Sequence, residues 1–157
     1  MIVRKQEIQE LIPTAMAAIT AVGIADEQGE IEKVHEGYIN ALGPNILQSG
    51  LLPTLIFYNK GTVDNSEGDR RLWLKALYYM YNEADTNKRE DIVDWKQVEP
   101  TAIIKKVIGG KGGTIREIRE KRKAELLTWE RILLKYAVTL KLATRTFKIE
   151  EKEGGQS

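Results

Sequence analysis

The feature that most constrains the fold is a run of apolar positions toward the C-terminus. Ile115, Ile118, Leu126, Trp129, Leu133, Tyr136 and Leu140 follow one another at threes and fours, with Arg122 as the one polar interruption. That spacing repeats with the α-helical turn, so it specifies one long amphipathic helix whose stripe must be buried against other elements. The rest of the chain supplies them with the same periodicity. Ile8, Leu11, Ala15, Ile19 and Val22 predict a first helix, kinked at Pro13 and stopped at Gly23. After an acidic stretch read as a solvated loop, Val34, Tyr38, Leu42 and Ile46 predict a second, bent at Gly43-Pro44. Ser49 reads as the cap of a third, nearly all-apolar helix over residues 51–58, expected at the centre of the bundle. Over residues 70–81, Leu72, Trp73, Ala76, Leu77 and Met80 point inward and leave Arg70, Arg71 and Lys75 outside. Ile92, Val93, Trp95 and Val98 form a short apolar group, and Pro100 opens a helix through Ile103, Ile104, Val107 and Ile108. No segment alternates strictly enough to predict a strand, and no internal repeat is present.

These elements predict an all-α fold: a single-domain bundle of about six helices with a long C-terminal helix, spanning residues 1–151, with 152–157 as a frayed tail. At 157 residues the chain is long enough to bury one real core. Its 42% apolar and 30% charged residues place it among globular rather than disordered sequences. The absence of cysteine excludes a disulfide framework, a thiol nucleophile and cysteine-rich zinc sites, and suits a reducing interior. Residues 1–10 carry charges throughout, and no stretch approaches the twenty apolar residues of a membrane span. A cytoplasmic protein with no membrane partner is the expectation.

The net charge of +1 conceals a separation along the chain. Between residues 26 and 36, Asp26, Glu27, Glu30, Glu32 and Glu36 face only Lys33. Between 105 and 123, Lys105, Lys106, Lys111, Arg116, Arg119, Lys121, Arg122 and Lys123 face only Glu117 and Glu120. A charge run is ordinarily a solvated face. This one borders the glycine run 109–113, which brings contact with a polyanion into play. That run lacks the Gly-Lys-Ser/Thr ending of a phosphate loop and follows a helix rather than a strand, so nucleotide hydrolysis is not its reading. It is either a flexible interhelix loop or a glycine clamp that sets backbone N–H groups against a nucleic-acid phosphate. The single histidine, His35, has no second histidine or cysteine with which to build a zinc site or a nucleophile–base pair, and reads as a surface residue. The carboxylate pairs Asp26/Glu27 and Asp91/Asp94 read as solvated loop caps rather than cation ligands. No catalytic group, metal or cofactor is expected.

The segment from Tyr38-Ile39-Asn40-Ala41-Leu42 through Gln48-Ser49-Gly50-Leu51-Leu52 to Ile56-Phe57-Tyr58 resembles the small helical subunit of the type III-B CRISPR effector, the Cmr complex. That family shows a tyrosine opening a helix, an Asn-Gly-Leu element about a dozen residues on, and an apolar run ending in an aromatic. Ser49 stands here in place of the usual asparagine, while Gly50 and Leu51 match. In the terminal helix Glu125 and Lys135-Tyr136-Ala137 match the family's pattern, and Ile132 falls where a tryptophan is common. The resemblance implies a non-catalytic subunit that stacks with copies of itself and with other Cmr subunits, flanking guide and target RNA in antiviral defence. On that reading Lys105, Lys106, Lys111, Arg116 and Arg119 are the leading phosphate contacts, with Arg70, Arg71, Lys135 and Lys141 as secondary ones, and sequence preference is absent. The alternatives are a bundle whose basic face docks an acidic protein, and a DNA-binding regulator built on a helix-turn-helix.

Overall fold

The computed structural model describes residues 5–60, 68–84, 89–109 and 115–150, and of residues 115–119 and 121 the backbone alone. Six α-helices carry the fold: α1 (Lys5–Ala21), α2 (Lys33–Ser49), α3 (Leu51–Asn59), α4 (Arg71–Ala84), α5 (Ala102–Ile108) and α6 (Ile115–Thr144). A single 3₁₀ turn, Trp95–Gln97, precedes α5. The all-α expectation and the long terminal helix hold.

The 30 residues of α6 make a rod about 45 Å long at the α-helical rise. Its C-terminal half is sunk into the bundle, with Leu133, Leu134, Tyr136, Ala137, Leu140 and Ala143 all buried. This half lies along α1 and α2. From α1 it meets Ala15, Ala18 and Ile19, and from α2 Ile39, Leu42 and Ile46, none of them more than 1% exposed. Both helices bury alanines, Ala15 and Ala18 on α1 and Ala137 and Ala143 on α6, and small side chains permit close approach. Helices α3 and α4 each pack against four others, α3 against α2, α4, α5 and α6. Trp73, Leu74, Ala76, Leu77 and Met80 are fully buried, and α4 touches α1, α3, α5 and α6. Helix α3 buries Leu51, Thr54, Leu55 and Tyr58 but leaves Ile56 and Phe57 more than half exposed.

Neither proline breaks its helix: Pro13 lies inside α1 and Pro44 inside α2. Each removes the hydrogen bond to the carbonyl four residues back, at Gln9 and Asn40. Both prolines and both of those residues are exposed, so water takes up the freed carbonyls and the apolar face stays continuous. The break between α2 and α3 falls at Gly50, whose φ of +94° demands glycine. Its carbonyl accepts from Thr54 Oγ1 (2.8 Å), and Ser49 is the last residue of α2 rather than a cap.

The acidic stretch is not simply a solvated loop. Glu30–Glu32 forms a strand, β1, paired in parallel with Lys148–Glu150, β2, with Ile31 opposite Ile149. Ile31 is fully buried, while Asp26 organises the approach by accepting from the backbone N–H groups of Gln28 and Glu30, both at 2.9 Å. Ala25 adds an antiparallel bridge to Ile31. The apolar group at 92–98 divides in the same way: Trp95 is buried, and Val93 is wholly exposed.

The two ends of α6 should therefore respond differently to the same substitution. Leu133→Ala, at a fully buried site, should lower the unfolding free energy by about 2–5 kcal/mol. Leu127→Ala, at a site 58% exposed, should stay within about 0.5 kcal/mol. Denaturant titration of the two variants against the parent chain measures both, and equal effects would contradict this placement of α6.

Candidate nucleic-acid interface

The basic residues singled out in the sequence separate into three places. Helix α5 turns Ile103, Ile104 and Val107 inward, and its other side carries Lys105 and Lys106, both exposed. Each reaches a carboxylate. Lys105 Nζ lies 3.0 Å from Glu99 Oε2, with both side chains about 70% exposed, and Lys106 Nζ lies 4.0 Å from Glu90 Oε1. The Lys105 hydrogen bond and charge hold the Glu99 carboxyl below its usual range. Glu90 is fixed more firmly. Its N–H donates to Asn82 Oδ1, its carbonyl accepts from Asn82 Nδ2, and its carboxylate accepts from Tyr78 Oη at 2.8 Å. Exposed pairs of this kind contribute little to stability, so these lysines can exchange a carboxylate for a phosphate at small cost.

Arg122 ties α6 to this corner. Its Nη2 donates to the carbonyl of Ile108, the last residue of α5, at 2.9 Å. A cation there satisfies an orphan carbonyl and complements the negative end of the helix. Lys123 stands exposed one residue further on. Arg116 and Arg119 belong to the first turns of α6, but their side chains lie outside the described residues, as does Lys111 with the rest of the glycine run. Gly109 caps α5, its N–H donating to the Lys105 carbonyl at 2.9 Å.

The second place is the start of α4. Arg71 makes a forked contact with Asp69, through Nε at 3.0 and 3.1 Å and Nη2 at 2.8 Å. Arg70 is half-buried rather than outside, its guanidinium 4.4 Å from the centre of the Phe57 ring. The third place is the embedded half of α6, where Lys135 and Lys141 are half-buried; Lys135 Nζ lies 6.0 Å from the Tyr136 ring centre. Helices α4 and α3 both pack on α5, so the first two places sit on neighbouring elements.

His35 is the clearest correction: it is 4% exposed and not a surface residue. Its ring meets Tyr38 and Trp73 edge-on at centroid distances of 5.9 and 6.3 Å. Gly68 closes the box, for a Cβ there would come within 2.6 Å of Nε2. The clasp is completed by Tyr38 Oη donating to the Gly68 carbonyl (3.2 Å) and Tyr58 Oη to the Tyr38 carbonyl (2.6 Å). His35 Nδ1 and Trp73 Nε1 are buried without hydrogen-bond partners. A proton added to His35 would be a buried charge, and burial accordingly pushes its pKa below 6.5, with Glu32 and Asp69 opposing the shift. Nothing in the residue pattern marks this burial, because a lone histidine between Val34 and Glu36 carries no apolar signal.

The carboxylates behave largely as caps. Asp94 accepts from the Lys96 N–H at 3.0 Å. Asp26, Glu30 and Glu150 bring oxygens within 4.8 Å of one another, but Asp26 is engaged by the loop backbone and Glu30 by Lys148 at 3.4 Å.

The histidine clasp has a measurable signature. The unfolded chain takes up the proton first as pH falls below about 6.5, so the stability of the folded state should be full above that point and decline below it. The decline should be at most about 1.4 kcal/mol per pH unit for this one proton, ending at the lower folded-state pKa. Since the chain has one histidine, His35→Gln should flatten denaturant midpoints between about pH 6.5 and the carboxylate range; an unaltered slope would rule the clasp out as its source.

Comparison with known proteins leaves this description standing by itself: no family model matches the chain, and no curated protein or solved structure matches it.

Proposed function

We propose that this chain is a non-catalytic scaffold subunit of a type III-B CRISPR (Cmr) ribonucleoprotein, stacking with its own copies and other Cmr subunits and touching guide and target RNA through phosphate contacts. The observation that carries the RNA contact is the corner where α5 meets α6. Lys105, Lys106 and Lys123 stand exposed there, and Arg122 fastens the basic half of α6 to the end of α5. Phosphate contacts of this kind need exposed, exchangeable cations and no base-reading geometry.

The residues that carry the family resemblance also have structural reasons to be what they are. Gly50 occupies a positive-φ joint between α2 and α3, and Leu51 is buried directly after it. Tyr38 is part of the clasp over His35. Tyr136 and Ala137 lie in the embedded half of α6. Antiviral defence and the partner subunits come from the resemblance alone.

A second reading has one observation in its favour. Lys105 and Lys106 already face carboxylates of their own chain, and a basic face that tolerates such pairing would equally dock an acidic protein. A partner that stays bound after nuclease treatment of the purified assembly favours that reading, and one released by the nuclease favours RNA.

Charge reversal tests the RNA contact directly. Lys105→Glu combined with Lys106→Glu should weaken RNA binding and flatten the dependence of log K on log salt by roughly 1.4–1.8, the release from two phosphates. Titration of RNA at several salt concentrations reads this, and a slope equal to the parent's would remove α5 from the interface.

A further inference from the structure

Between the end of α1, the middle of α4 and the segment 89–95 lies a cavity of about 470 Å³, within the size range of small-ligand sites. Its apolar and aromatic lining comes from Ala21, Tyr79, Ile92, Val93 and Trp95. The Tyr79 and Trp95 rings meet at a centroid distance of 4.8 Å and an angle of 58°, so they form a notch rather than a flat stack. Trp95 is buried and Tyr79 half-buried, whereas Val93 is wholly exposed.

The charges beside these rings are mostly acidic. Glu83, Glu90 and Asp91 line the cavity against one cation, Arg89. Arg89 is engaged by Glu83 at 3.3 Å, while Glu90 accepts from Tyr78 Oη and lies 4.0 Å from Lys106. Counting Lys106, and Asp85 and Lys88 of the adjoining sequence, still leaves one acid in excess. Lys75 and Lys96 line a separate cavity, which also holds Asp26 and Glu27. The surplus is Asp91, an exposed carboxylate with no hydrogen bond or ion pair among the described residues. Helix α1 adds to the negative potential. Ala21 is its last residue, its last turn holds no basic side chain, and the carbonyl end of a helix carries a partial negative charge.

Aromatic faces attract cations through the ring quadrupole, and aliphatic side chains take an alkyl chain out of water. An anion would meet the surplus acid, and a neutral apolar molecule would leave Asp91 unanswered. We propose that this cavity binds the alkylammonium end of an aliphatic amine, with its chain along Ile92 and Val93 and its charge at Asp91 and the two rings. Free polyamines and lysine side chains both carry such a group. The site is independent of the RNA contacts on α5.

The test is a titration of the full chain, labelled with nitrogen-15, with n-butylamine, followed through the indole N–H signals of its three tryptophans. The Trp95 signal, identified by its loss in Trp95→Phe, should shift to saturation, while that of Trp73, sealed beside His35, should stay in place. n-Butanol, the same chain without the charge, should leave both unmoved. Asp91→Asn should weaken binding by roughly 1.5- to 5-fold and Tyr79→Leu by about 2- to 5-fold, with Tyr79→Phe restoring it. Since Asp91 is exposed, circular dichroism of Asp91→Asn should match the parent. Spermidine and Nα-acetyl-lysine methylamide separate the two sources: tighter binding than n-butylamine by the first assigns a free polyamine, and by the second a lysine of a partner chain. If n-butylamine leaves Trp95 unmoved, or n-butanol shifts it equally, the proposal is overturned. It is overturned as well if Asp91→Asn and Tyr79→Leu both bind as the parent does. Binding that emerges only in Arg89→Ala also overturns it, since the cavity then belongs to the chain's own arginine.

Discussion

The structure depends on one contact, the seating of the C-terminal half of α6 against α1 and α2. Ala15 and Ala18 on one side, and Ala137 and Ala143 on the other, are small and buried. They let Ile19, Leu42, Ile46, Leu133 and Leu140 close the space between three helices. Interiors of this kind are close-packed, so the positions of the remaining helices follow from it. Helix α4 packs on α1 and α6 and also meets α3 and α5. Every surface discussed above is therefore placed, at one or two removes, by the same alanine-lined seam.

That arrangement separates support from contact within a single element. The embedded half of α6 spends its apolar stripe on the core. Its other half is tied to the end of α5, where Arg122 reaches the Ile108 carbonyl. The lysines of α5 use a different device, resting against glutamates that keep them in place while leaving them in water. Screening by solvent makes such pairs easy to trade for another anion.

Much of this was legible from periodicity. The threes and fours of 115–140 located α6, and the stripes in 8–22 and 70–81 located α1 and α4, because a helix that buries one face must repeat with its own turn. What escaped did so for physical reasons. The strands are three residues each, Glu-Ile-Glu and Lys-Ile-Glu, too short to alternate visibly, and each is defined only by a partner far away in the chain. The stripe of α2 was displaced toward His35 and Ile39, because a box of Tyr38, Trp73 and Gly68 makes room for an imidazole that composition alone would send to the surface. The prolines were read as bends within continuous helices, and both lie inside their helices. Of the candidate interface, Lys105 and Lys106 were legible as exposed cations, whereas their glutamate partners and the approach of Arg70 to the Phe57 ring depend on how helices meet.

The pairing of β1 with β2 has a consequence for how the chain reaches this state. Ile31 is sealed by a strand that begins more than a hundred positions later, and α1 finds its main partner in α6. Contacts so distant in sequence form slowly, since a long loop must close before they stabilise anything. On the ribosome the early helices emerge with their apolar stripes uncovered, and the core cannot close before the buried half of α6 has left the exit tunnel. The last helix thus acts as the latch of biosynthesis: until it arrives, the nascent chain presents sticky helices to whatever chaperone is nearest.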